Sequence, residues 1–110
     1  MPPFLTAAIT VAAAAYFVRQ CRKPTGPLCS RVVRLMNRSH SSLTDWGLGH
    51  TSIAENETVL DLGCGGGQTI RKLAAIASSG KVYGVDYSAA SVTASRRLNR
   101  TGVAAGRIEV

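Results

Sequence analysis

The spacing of hydrophobic positions changes repeatedly along the chain, and each change marks an element. Phe4 to Val18, FLTAAITVAAAAYFV, is apolar and uncharged throughout and predicts a helix. Pro24, Gly26 and Pro27 then interrupt the pattern as a linker. Beyond it Leu28, Val32, Leu35 and Met36 share one helical stripe, with Arg31, Arg34 and Arg38 elsewhere. Such a basic amphipathic helix either lies on a membrane or packs on a domain, and packing is the commoner fate. Thr58 to Leu62, TVLDL, predicts a short apolar strand of the kind buried in a parallel sheet. From Gln68 the period switches: Ile70, Leu73, Ala74 and Ala77 fall at i, i+3, i+4 and i+7, a helix with one apolar face. Ser78, Ser79 and Gly80 close it. KVYGVD is a second apolar strand ending in Asp86. Ser88 is placed to cap a helix running to about Asn99, with a weaker apolar face of Ala90, Ala94 and Leu98. Arg96, Arg97 and Arg100 sit favourably near its negative end. RIEV opens a third strand. The order β-α-β-α-β predicts an α/β fold, a Rossmann-like doubly wound parallel sheet preceded by an N-terminal apolar helix.

Composition narrows the function classes. At 110 residues the chain makes one small domain, and its 45% apolar content excludes wholesale disorder. The net charge of +7 invites nucleic acid, but its distribution argues against that partner. Residues 1–40 carry six basic residues and no acidic one, whereas residues 41–110 carry seven against six, a net of +1. No aromatic residues interleave with a basic stripe in the glycine-rich part, so no nucleic acid is expected. Cys21, Cys29 and Cys64 show neither a disulfide framework nor metal-ligand spacing. A reducing, cytoplasmic setting without a metal site is expected.

The leader leaves three readings open. Its 15 uncharged residues span about 22 Å as a helix, short of a hydrocarbon core of about 30 Å. A signal peptide would carry a basic start, whereas here Arg19, Arg22 and Lys23 follow the run. If it inserts, those charges hold its C-terminal side in the cytosol. Membrane anchor or membrane-surface segment, plain Ala-rich helix and signal peptide all stand. The chain thus divides into an apolar leader at 1–23, a linker with a lead-in helix at 24–50, and the α/β region at 51–110.

The candidate chemistry lies in VLDLGCGGGQT, Val59 to Thr69. In open parallel sheets, ligands bind beyond the carboxyl ends of the strands. Gly63, Gly65 and Gly67 alternate there, allowing close ligand approach to the backbone. The helix that follows offers free N–H groups. Asp86, 19 residues after Gly67, is placed to accept hydrogen bonds from ribose hydroxyls. Together these features make a nucleoside site. A dinucleotide fingerprint fails, since its third glycine would fall on Gln68 or Ile70, and no phosphate-loop tripeptide is present. What stands is an acid before the glycines, Asp61 in D-x-G-x-G-x-G, which suits a ligand carrying a cationic amine.

VLDLGCGGG followed by VYGVDYS resembles the first two motifs of class I S-adenosylmethionine-dependent methyltransferases, most closely the ubiquinone/menaquinone-methyltransferase-like, small-molecule group. MNRSHSSLTDWGL resembles the lead-in of some bacterial members, so the resemblance runs from Met36 to Val110. It implies S-adenosyl-L-methionine as cofactor and a small-molecule methyl acceptor. It places Asp61 near the cofactor's methionine amine, and Gly63, Cys64, Gly65 and Gly67 along its methionine and ribose portions. Asp86 binds the ribose hydroxyls, Tyr87 and Ser88 flank the adenine, and Gln68 and Thr69 face the carboxylate. Beside these roles, Cys64 reads as a small turn residue without chemistry, and Tyr87 as either a cofactor shelf or surface packing. His40 reads first as a capping or packing histidine. The less favoured reading, implied by the lead-in that covers the cofactor site in the look-alikes, puts His40 and Trp46 at its mouth, and His50 has no role. In the family the catalytic and specificity residues follow the third strand. The chain therefore reads as an N-terminal portion with negligible turnover alone and catalytic residues expected after Val110. The alternatives are a membrane-tethered cofactor-binding module without catalysis and, less favoured, a nicotinamide-dependent reductase.

Overall fold

The computed structural model describes residues 1–110. Its elements run α1 (Pro3–Arg22), α2 (Cys29–Ser39), α3 (Ser41–Leu48), β1 (Thr58–Leu62), α4 (Gln68–Ile76), β2 (Lys81–Val85), α5 (Ala89–Leu98), α6 (Arg100–Ala104) and β3 (Ile108–Glu109). The strands form one parallel sheet in the order β1-β2-β3, with Asp61 opposite Gly84 and Val82 opposite Ile108. Strand alternation sends Val59, Asp61, Val82, Gly84 and Ile108 to one face. The core forms there, where Ile70 and Leu73 of α4 meet Cys64, Val82 and Ile108. Gly84 lets α4 approach: a Cβ on it would stand 2.2 Å from the Ile70 Cδ1.

The expected burial of β1 on both faces is corrected by the structure. Leu60, Leu62 and Val85 are 57%, 74% and 53% exposed, because the packed helices α4 and α6 lie against the opposite face. The doubly wound plan is thus present with one of its helical layers.

Two helical faces also differ from expectation. On α2 the buried residues are Val32 and Val33, while Leu28 and Leu35 are exposed. Val33 turns inward because it meets the backbone at Gly66, where a Cβ would lie 2.6 Å from its Cγ1. On α5 the inward face is Ser91, Ser95 and Asn99 in place of Ala90, Ala94 and Leu98. The glycine turn presses against this helix, and only small or hydrogen-bonding side chains fit. The predicted Ser88 cap is present, its Oγ accepting from the Ser91 N–H at 3.3 Å.

Candidate functional site

The turn after β1 is held by the end of β2. The N–H groups of Gly63 and Cys64 both donate to the Val85 carbonyl, at 2.7 and 3.1 Å. Gly67 ends the turn with φ +85° as the residue before α4. A Cβ there would combine the left-handed penalty with a 2.3 Å approach to the Ser95 Oγ. The Asn99 Nδ2 fastens this point by donating to the Gly67 carbonyl at 3.0 Å. The turn therefore delivers the start of α4, with its free N–H groups, to the carboxyl end of the sheet.

Asp86 stands beside it. One carboxylate oxygen accepts from the Gly65 N–H at 2.9 Å and the other from the Ser88 N–H at 2.8 Å, so the side chain bridges the turn and the start of α5. Asp61 comes from the strand end below, and its Oδ2 is buried without a hydrogen-bond partner. Burial first, and the charge of Asp86 second, raise its pKa above the ordinary value. Two carboxylates thus share a site, and neither is ion-paired. Burial also pushes the Cys64 thiol up to about 11, helped by the charges of Asp61 and Asp86. At neutral pH Cys64 is a protonated thiol, which agrees with a turn residue and disfavours a nucleophile.

A cavity of about 370 Å³ opens over the turn. Its floor contains Gly63, Cys64, Gly65, Gln68, Thr69, Asp86 and Tyr87 from the sequence-derived set. Asp61, Gly67 and Ser88 are not on its wall. Gly67 and Ser88 are buried supports, and Ser88 donates from Oγ to the Pro24 carbonyl at 3.2 Å. That contact seats the segment after α1 over the site, where Lys23 lies 5.3 Å from the Tyr87 ring centre. Cys21, Arg22 and Pro24 consequently roof the cavity, a role no local pattern could reveal. Asn37 and Ser91 also line it, and their signal was missed because polar residues on helices read as solvent-facing. His40 lines the cavity, the less favoured of its two readings. Trp46 does not: it is 67% exposed and its ring lies 4.5 Å from that of His50. The break between α2 and α3 at His40 rotates Trp46 away from the mouth.

Residues 53–107 match the model of a family described as a methyltransferase domain. The fold is similar to a solved S-adenosylmethionine-dependent methyltransferase from Aquifex aeolicus, at 24% identity and a TM-score of 0.60, covering 74% of this chain and 45% of that one. It is also similar to an O-methyltransferase of neocarzinostatin biosynthesis, at 22% identity and a TM-score of 0.61, covering 76% and 26% of the respective chains. That enzyme was solved with S-adenosyl-L-homocysteine and 1,4-dihydroxy-2-naphthoic acid. A geranyl diphosphate C-methyltransferase from Streptomyces coelicolor A3(2) gives 21% identity and a TM-score of 0.55, covering 79% of this chain and 34% of that one. At these identities the likeness establishes the fold. The chain spans less than half the length of each of these proteins. No curated protein matches it in sequence. The family match does not single out the ubiquinone/menaquinone group. Because it spans half the chain and contains both the glycine turn and the acidic end of β2, the chain belongs to the methyltransferase-domain family.

Proposed function

We propose that the cavity over the glycine turn binds S-adenosyl-L-methionine and that the chain forms the cofactor-binding part of a methyltransferase acting on a small-molecule acceptor. The observation that carries this reading is the Asp61 carboxylate, desolvated, lacking a partner on one buried oxygen and facing the charge of Asp86. Asp86 lines the cavity and Asp61 lies buried beneath its floor. A ligand bringing ribose hydroxyls to the one and an ammonium above the other answers both carboxylates, and the residues present fit it. When bound, the cofactor supplies a methyl group made electrophilic by its sulfonium centre.

The chain's own residues supply binding and orientation. Asp61 faces the amine, and the Gly63 to Gly65 backbone lies along the methionine and ribose portions. Asp86 exchanges its Gly65 and Ser88 N–H partners for, or shares them with, the ribose hydroxyls. Tyr87, with Lys23 above it, forms the adenine side. Gln68 and Thr69 offer the first-turn N–H groups of α4 to the carboxylate. Roofing by the end of α1 excludes water from this half of the site. Calorimetric titration with S-adenosyl-L-homocysteine and with NADH tests the reading. Saturable binding of the first and none of the second is expected; the reverse order would contradict it.

We further infer that α1 tethers the protein to a membrane with the α/β region on the cytoplasmic side. The helix runs for 20 residues, about 30 Å, and Gln20 is its one buried residue. Phe4, Ile9, Val11, Phe17 and Val18 are exposed along it, and Arg19 and Arg22 lie in its last turn. Vesicle flotation is expected to carry the full chain, and to fail when Ile9 and Val11 are both replaced by Asp. Flotation unchanged by that double substitution would contradict the tether.

A further inference from the structure

Behind the glycine turn, α2, α4, α5 and α6 enclose a second cleft of about 920 Å³. Five arginines line it, Arg34, Arg71, Arg97, Arg100 and Arg107, and no acidic residue does. Arg107 is committed to the fold, donating to the carbonyls of Ala74, Ala77 and Gly80. The other four are exposed and make neither an ion pair nor a side-chain hydrogen bond within the chain, whose one salt bridge joins Lys72 to Asp45.

Helix electrostatics explain only part of this set. Arg97 lies in the last turn of α5, where cations are favoured, whereas Arg100 opens α6. Arg71 comes from the N-terminal part of α4, where the same dipole disfavours a cation, and Arg34 comes from the middle of α2. Guanidinium groups gathered around one concavity repel one another without a counter-charge. Their planar forks match phosphate oxygens bidentately. Val33, Asn37 and Gly66 line both cavities, so this cleft backs onto the wall of the first one while lying outside it.

We propose that the arginine cleft is a binding site for a phosphate-bearing ligand. A soluble phosphorylated compound and a phospholipid headgroup share this chemistry, and two probes separate them: inorganic pyrophosphate and the water-soluble dihexanoyl phosphatidic acid. Each is titrated by calorimetry into the full chain at about 0.15 M salt, where exposed charges are screened beyond about 8 Å. Saturable binding of at least one probe is expected. Arg97→Gln with Arg100→Gln lowers that affinity by about tenfold or more, whereas Arg31→Gln with Arg38→Gln, an equal loss of charge outside the cleft, changes it less than about twofold. Far-UV circular dichroism checks the fold of each variant. If the first pair unfolds, Arg34→Gln with Arg71→Gln replaces it under the same criterion. Binding of neither probe, or equal weakening by the pairs inside and outside the cleft, would overturn the proposal.

Discussion

Asp61 is caught between fold and site. Its folded pKa is raised above the ordinary 3.8, so across the window between the two values the folded chain keeps a proton that the unfolded chain has released. Stability therefore falls as pH rises through that window, and the loss persists at neutral pH. Asp61→Asn is accordingly expected to raise the Tm of the unliganded chain at about pH 7 and to leave it unchanged near pH 3, where the wild-type group is already neutral. The same substitution should weaken binding of S-adenosyl-L-homocysteine. A lowered Tm at neutral pH would show that the carboxylate stabilises the fold and is not held there for a ligand. Gly67 poses a different case, a residue the fold itself requires. Gly67→Ala should cost about 1–3 kcal/mol in urea unfolding from the left-handed backbone, with the approach to Ser95 adding to it. These positions were legible because spacing alone exposes them: an acid, alternating glycines, and a second acid one strand later. Arg22 and Asn37 were not, because the contacts that bring them to the cavity depend on how distant segments meet.

At the scale of elements, α4 is the anchor. Arg107 reaches back from the segment before β3 to donate to the carbonyls of Ala74 and Ala77 at the end of α4, the latter at 2.6 Å, and to that of Gly80 just before β2. The Ala74 carbonyl lies in the last turn and lacks an intrahelical partner, so the guanidinium supplies what the helix end cannot, while the Ala77 carbonyl also accepts from the Gly80 N–H. Arg107→Ala should destabilise the chain by about 1–3 kcal/mol, measured by urea unfolding, and Arg107→Lys should recover little since one ammonium lacks the fork. At the other side of α4, Lys72 donates to the Ser41 carbonyl and hydroxyl at 2.8 Å and pairs with Asp45 at 2.6 Å, holding α3 against the cavity wall. Periodicity located α4 well because its inward face is apolar. It failed on α5 and α2, where the partner surface is a glycine-rich backbone. There small polar residues and Val33 fit better than the larger apolar side chains that a hydrophobic ranking favours. The short α6 and the break at His40 left no signal, since neither changes the pattern of apolar positions.

The whole molecule is asymmetric. One face of the sheet carries the helices and both cavities. The other presents Leu60, Leu62 and Val85 beside the unpaired edge of β1. Such an edge with apolar neighbours invites self-association. Leu60→Lys with Leu62→Glu should therefore raise the monomer fraction in sedimentation while preserving the circular dichroism of the fold. Unchanged association would place the sticky surface elsewhere, with α1 the next suspect. The order of elements was legible from the alternation of short apolar runs and helical stripes. The one-sidedness was not, because a strand that reads as buried on both faces says nothing about what covers it.

The central claim, that the two carboxylates and the glycine turn form a cofactor site, is tested most directly by equilibrium binding of radiolabelled S-adenosyl-L-methionine to the full chain and to Asp86→Ala. Saturable one-to-one binding is predicted for the wild type, with affinity reduced by about tenfold or more in the variant, since two charge-assisted hydrogen bonds are lost. Equal affinity in the two proteins, or no binding to the wild type, would contradict the account.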